Sequence, residues 1–279
     1  MIYTLLASGS KGNACLIQDE NVNLLIDCGT TKKYLISRFE EIGFDINDLD
    51  GVLITHDHVD HISQIKLFKE KPIYSPVKIQ DVETIKVKSD EPFQFQHLTI
   101  RPIGLSHDAK NTTGYVIESW QEKLVYITDT GYLKEKYYEH LKDADYIILE
   151  SNHDVETLMK RQRRSFVKAR IQSDEGHLCN EDCARILSKI ISKNTKQIVL
   201  AHISEEANSR DKALTVSANY LLEKHKGKMH KDLIICASEQ YEMVKGGNRH
   251  EKVDMGNYSR AIGLEQLANI SHDGYTKFE

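Results

Sequence analysis

Residues 51–61 read GVLITHDHVDH: an apolar run passes without a break into His56, Asp57, His58, Val59, Asp60 and His61. Residues 51–55 have the composition of a buried strand, so the polar cluster falls where a sheet stops, the usual place for a site in an α/β fold. Imidazole and carboxylate suit Zn²⁺, Mn²⁺ or Fe, and a pair of such ions takes about seven protein ligands plus a bridging water. The plain alternative is a solvated loop that happens to be rich in histidine. Such residues normally stand exposed and single, however, rather than packed behind an apolar run.

Outward from this stretch, residues 3–7, 14–18 and 22–26 are short apolar or alternating runs split by turn residues, the pattern of a β-meander. Thr31 can cap a helix over residues 32–42, where Tyr34, Leu35, Phe39 and Ile42 recur at helical spacing. A second helix is expected over 59–68. Further strands are expected at 93–103, 114–118, 124–128, 146–150, 197–201 and 233–237, and helices at 134–141, 181–191 and 213–222. Strands in two groups with helices interleaved predict an α/β fold of two sheets packed face to face, with helices outside, in four layers. No linker or short repeat divides the chain. Residues 1–245 read as one catalytic domain, and 246–279 as a polar C-terminal extension.

Composition narrows the class. The 279 residues carry 40% hydrophobic and 28% charged side chains with only 4 Pro and 15 Gly, which excludes collagen-like and disordered chains. No run approaches the ~18 apolar residues of a membrane span, and the opening MIYTLLASGSKGN does not read as a signal peptide. A cytoplasmic protein is expected. Five cysteines, odd in number and mostly in apolar runs, read as reduced thiols. Cys179 and Cys183, spaced i,i+4 near His177, make a weak alternative zinc site, because closed sites want four ligands. A net charge of -5 means that any nucleic-acid binding needs a local basic patch.

HDHVDH resembles the H-x-H-x-D-H hallmark of the metallo-β-lactamase superfamily, whose αββα sandwich agrees with the layers inferred above. The other motifs of that superfamily follow in order behind apolar runs: Asp27 in LLIDCG, His107 in GLSHD, Asp129 in VYITDTG and His202 in IVLAHIS. The resemblance implies two divalent metal ions, zinc or manganese. His56, His58 and His107 would hold one, Asp60, His61 and His202 the other, and Asp129 would bridge them. Asp27 would fix a ligand without touching metal. His153 and His177 are the alternatives to His202, which is preferred because it ends a strand.

Four segments narrow the branch. ASGSKGN, LSHDAKNTTGYVI, LESNHD and RIQSDEGHLCN resemble the YycJ/WalJ-type branch, and the glycine loop is also similar to that of cyclic phosphodiesterases of carbon–phosphorus lyase pathways. The first resemblance implies a 5′-to-3′ DNA exonuclease with a part in mismatch repair. The second keeps a small-molecule phosphodiesterase as the alternative, with thioesterase or lactonase chemistry and a non-enzymatic scaffold further off. Only 73 positions separate Asp129 from His202, too few for the large inserted domain of ribonuclease J-type enzymes. Lys160, Arg161, Arg163, Arg164, Lys168 and Arg170 form an acid-free basic segment that could follow a phosphate backbone, or else a solvated face. Arg164, Lys168 and Arg170, with Asn13 of the glycine loop, are the candidate substrate-binding residues. Asp60 is the candidate for orienting the attacking water or taking its proton, and His177 for stabilising the phosphate or protonating the leaving group.

Overall fold

The first three apolar runs pair as an antiparallel meander, with Tyr3 opposite Ile17 and Leu16 opposite Leu25. The computed structural model describes residues 1–225 and 229–247, and the backbone of 261–263. The meander is β1 (Ile2–Ala7), β2 (Ala14–Asp19) and β3 (Val22–Ile26), followed by α1 (Lys32–Glu41), β4 (Gly51–Leu53) and α2 (Val59–Ile62). Then come β5 (Ile73–Ser75), β6 (Ile85–Lys86), β7 (Phe93–Phe95), β8 (Leu98–Gly104), β9 (Thr113–Glu118), β10 (Lys123–Ile127), α3 (Tyr138–Leu141) and β11 (Tyr146–Glu150). The last elements are α4 (Val155–Lys160), α5 (Ser165–Ile171), α6 (Asn180–Ile190), β12 (Gln197–Ala201), α7 (Arg210–His225), β13 (Ile234–Ala237), β14 (Val244–Gly246) and β15 (Ala261–Gly263).

Two mixed sheets result, ordered β14-β1-β2-β3-β4-β5-β6 and β15-β13-β12-β11-β10-β9-β8-β7. Alternation along each strand decides which layer each side chain enters. Leu5, Ile17 and Leu24 of the first sheet meet Ile117, Leu124, Tyr126 and Ile148 of the second in the central core. Their neighbours Leu6, Leu16 and Leu25 face outward onto Leu35 and Phe39 of α1. On the far side Val125, Ile147, Leu149 and Ile198 pack under Cys183, Ile186, Leu187 and Ile190, the helical stripe of α6, and under α7. Both sheets are thus covered on both faces, which is why their strands read as apolar runs. The fold is the αββα metallo-β-lactamase sandwich. No helix among the described residues is long and apolar enough to cross a membrane.

Three expectations change in detail. The helix expected over 59–68 is one α-turn, α2, and then a separate 3₁₀ turn at Ile65–Phe68. The backbone explains the break: the carbonyls of Asp60 and His61, needed by a continuing helix, accept instead from Asn13 N at 2.8 Å and Cys28 N at 2.7 Å. Gly29 makes this approach possible, since a Cβ there would lie 1.6 Å from the Asp60 carbonyl oxygen. The single strand expected over 93–103 is the β7–β8 hairpin, turned at Gln96 with φ 52°. The helix expected over 134–141 is a 3₁₀ turn followed by α3. At the C-terminal end, β14 crosses the boundary expected at residue 245. β15, inside the segment expected to be a surface extension, pairs with β13 as an edge strand. The remainder of that extension lies outside the described residues.

Candidate metal centre

Strand ends converge here. Asp27 follows β3, His56 follows β4, Asp129 follows β10 and His202 follows β12, while Glu150 is the last residue of β11. Asp27, Asp129 and His202 leave their strands with φ of 58°, 58° and 52°. A left-handed residue at a strand end turns the chain within one step, a conformation that Asp and His tolerate better than most and that clusters at functional sites.

Ligand atoms of His56, His58 and His107 lie within 4.8 Å of one another, as do those of Asp60, His61 and His202. Asp129 shares such groups both with His56 and His61 and with His177, His202 and Glu150, so it stands between the two triads. His56 Nε2, His202 Nε2 and Asp129 Oδ2 are buried without a hydrogen-bond partner. Buried polar atoms are rarely left unpaired, and three orphans converging from three strands fit a cation. The donor set, imidazole and carboxylate, fits Zn²⁺ or Mn²⁺.

Hydrogen bonds on the far side of each ring decide which nitrogen faces inward. His61 Nδ1 donates to Asp27 Oδ2 at 2.8 Å, and His107 Nδ1 donates to the Gly176 carbonyl at 3.1 Å. Thr55 Oγ1 donates to Asp27 Oδ2 at 2.8 Å, so it accepts from His56 Nδ1 at 3.1 Å. His202 Nδ1 donates to Glu150 Oε1 at 2.9 Å. In all four rings Nδ1 is held by an outer partner, so Nε2 is the atom that an ion would take, with His61 and His202 giving up a second proton to it.

Charge divides the rings into two kinds. Burial, helped by His61, pushes His56 far below the ordinary imidazole range, and burial lowers His107. These two are neutral donors. Burial also opposes charge on His61, but Asp27 and Asp129 outweigh it and lift the ring well above its usual range. Against the same opposition, Asp129 and Glu150 raise His202 to about 9. Burial would raise Asp129, yet His202, His61 and His56 hold its carboxyl well below the usual range.

The other expected residues are placed unevenly. Asp60 is 27% exposed, with Oδ2 3.7 Å from His61 Nε2. His177 is 16% exposed, and its Nδ1 donates to Glu150 Oε1 at 2.8 Å. Asn13 is fully buried: its amide bonds Gly9 N at 2.9 Å and Gly9 O at 3.1 Å and stands 3.0 Å from His61 Nε2. It braces the glycine loop and presents no donor to solvent. Arg170 Nε bonds Asp108 Oδ2 at 2.8 Å, and Asp108 Oδ1 is 3.2 Å from His107 Nε2, so this arginine borders the centre. Lys168 Nζ donates to the Met159 carbonyl at 2.6 Å, and Arg164, exposed, precedes α5. His153 and the cysteines enter none of the candidate ligand groups among the described residues.

Sequence reasoning passed over two residues. Glu150 is fully buried and joins His177 to His202 through Oε1, while Oε2 accepts from Thr130 N at 2.9 Å and Leu178 N at 3.2 Å. Its signal was available, since it closes the apolar run YIIL as Asp129 closes VYIT. Asp108 had no signal beyond following His107.

Fold and donor set together define a metal-dependent hydrolase, and the chain belongs to the β-lactamase superfamily: residues 22–203 match the model of the beta-lactamase superfamily domain. It is 34% identical over 236 residues to exodeoxyribonuclease YycJ of Bacillus anthracis, spanning 80% of this chain and 89% of that one. Exodeoxyribonuclease WalJ of Streptococcus pneumoniae is also 34% identical, over 235 residues, spanning 78% and 87%. Among solved structures, the metallo-β-lactamase fold protein YhfI from Bacillus subtilis matches with a TM-score of 0.65 at 17% identity, covering 88% of this chain and 99% of that one.

Proposed function

We propose that this chain is a dinuclear phosphodiester hydrolase acting as a 5′-to-3′ exonuclease on DNA. The observation that carries the reading is the pair of triads around Asp129, in a chain that aligns along most of its length with two exodeoxyribonucleases. His56, His58 and His107 would hold one ion, Asp60, His61 and His202 the other, and Asp129 would bridge. Zinc or manganese at these groups would place positive charge beside the phosphoryl group and acidify an attacking water.

The side chains do the rest. Asp27 and Glu150 hold the Nδ1 protons of His61 and His202, which keeps Nε2 aimed inward. Asp60, partly exposed, can spare a carboxylate oxygen to orient the water or take its proton. His177 is anchored through Nδ1 on Glu150, which leaves Nε2 to hold the scissile phosphate or to hand a proton to the leaving oxygen. Arg170, beside Asp108, and the exposed Arg164 would meet neighbouring phosphates. A cytoplasmic location belongs to this reading. The role in mismatch repair belongs to the same reading, and the mutation rate of a strain lacking the gene tests it.

The direct test is digestion of end-labelled double-stranded DNA by protein reconstituted with Mn²⁺ or Zn²⁺, with His58→Ala as the blank. Progressive loss from the 5′ end, absent from the blank, is expected. Intact DNA beside brisk turnover of bis-p-nitrophenyl phosphate would replace the exonuclease by a small-molecule phosphodiesterase.

A further inference from the structure

Most cations of the basic segment 160–170 are already engaged. Lys160 pairs with Glu156, Arg163 with Glu206 at 2.5 Å and Arg170 with Asp108 at 2.8 Å, while Arg161 and Lys168 bond backbone carbonyls. A paired cation must give up its partner, or share it, before it can hold a phosphate.

A different set of cations is free. Lys78, Lys86 and Lys110 are exposed, and among the described residues no side-chain hydrogen bond or ion pair involves any of their ammonium groups, Lys86 being paired only through its backbone in β6. All three line one groove of about 790 Å³. Its wall also carries Asp57, which sits in sequence between His56 and His58, and Asn111 on the loop that follows His107. The groove therefore adjoins the first histidine triad, and Pro76, Val77 and Val82 give it an apolar floor. Glu83 is the second carboxylate of the lining, so three ammonium groups face two acids on a chain whose net charge is -5.

We propose that this groove is the track for the nucleic-acid strand, with Lys78, Lys86 and Lys110 each meeting one backbone phosphate next to the scissile bond. The inference rests on the nuclease reading and extends it by naming a substrate surface on the face opened by the loops after β4, β5 and β8. Charge complementarity singles out a polyanion. Free ammonium groups exchange only water and counterions for phosphate, and the release of those counterions drives binding. Pro76, Val77 and Val82 offer sugars and bases an apolar contact beside the ammonium groups.

The test compares the variant Lys78→Gln/Lys86→Gln/Lys110→Gln with a charge-matched control, Lys66→Gln/Lys142→Gln/Lys189→Gln, whose three lysines are ion-paired in the fold. Each metal-loaded protein is titrated with a fluorescent DNA duplex between 50 and 200 mM salt, and its turnover of DNA and of bis-p-nitrophenyl phosphate is measured. Three phosphate contacts at a slope of about 0.7–0.9 each mean that wild type loses about 20–40-fold more affinity over this range than the groove variant. Turnover of the small ester stays at the wild-type rate in both variants, and the control keeps the wild-type salt slope. A groove variant with the wild-type slope, or one that loses small-ester and DNA turnover equally, overturns the track while leaving the nuclease reading standing. Wild-type protein that neither binds nor digests DNA overturns both.

Discussion

Replacing Asp27 by Asn keeps the shape of a buried side chain and changes the proton it can hold in place. Asp27 Oδ1 accepts from Thr55 N at 2.9 Å, and Oδ2 accepts from Thr55 Oγ1 and from His61 Nδ1, each at 2.8 Å. In Asp27→Asn the amide oxygen retains the Thr55 N–H, which turns the NH₂ group towards His61 Nδ1. Two donors cannot face each other in a dry pocket. The one proton of the neutral His61 ring must then sit on Nε2, the atom 3.2 Å from Asp129 Oδ2 and 3.7 Å from Asp60 Oδ2, where it blocks a lone pair from any ion. A hydrogen bond to a charged group is worth about 1.5–3 kcal/mol, a factor of roughly 10 to 150 in a binding constant. Loss of the outer partner of a metal-binding histidine costs about 10–100-fold in affinity, which agrees. Zinc affinity measured by competition with a chromophoric chelator should therefore fall by about 10–100-fold for one equivalent and stay unchanged for the other. Circular dichroism of the metal-free variant guards against unfolding. Two equivalents bound at wild-type affinity by a folded variant would refute the claim that this carboxylate sets the His61 tautomer.

Two further outcomes follow from the same geometry. His202 has a folded pKa of about 9 against an ordinary 6.5, so its contribution to the stability of chelated protein is complete below pH 6.5 and lost as pH rises through about 9. His61 acts in the same direction, and His56 and His107, both lowered, act only below that window. The Tm of chelated protein should fall from pH 6.5 to 9, and His202→Gln should reduce that fall; a fall of wild-type size in the variant would sink the assignment. His177→Gln should slow DNA digestion by about 10²–10⁴-fold, the usual worth of a positioned proton donor. It should barely change turnover of bis-p-nitrophenyl phosphate, whose leaving group needs no proton, so equal losses on both substrates would remove His177 from the leaving-group step.

The order of elements, the two-sheet architecture and the candidate ligands were legible in the linear chain, because each rests on a local signal. Apolar period places β1 to β4 and the α6 stripe, and a histidine or aspartate directly behind an apolar run marks a strand end. Where a signal depends on a distant partner, reading along the chain failed. The break after α2 comes from Asn13 and Cys28 taking two carbonyls of a helix more than thirty positions away. The turn at Gln96 carries no glycine, asparagine or proline, so residues 93–103 read as one strand. Glu150 ends its strand as visibly as Asp129 does, but only the folded chain shows its single Oε1 holding two histidines, His177 at 2.8 Å and His202 at 2.9 Å. Charge counts suffer the same limit. A run of six cations at 160–170 looks like the stronger phosphate surface, while Lys78, Lys86 and Lys110, scattered over 33 positions, look like nothing. Tertiary structure adds what the count cannot show: Lys160, Arg163 and Arg170 of the first set are paired with Glu156, Glu206 and Asp108, and one groove gathers the second set. Sequence by itself determined residue type and period, which are local. Which donor meets which acceptor was decided only when strands far apart in the chain ended at one place.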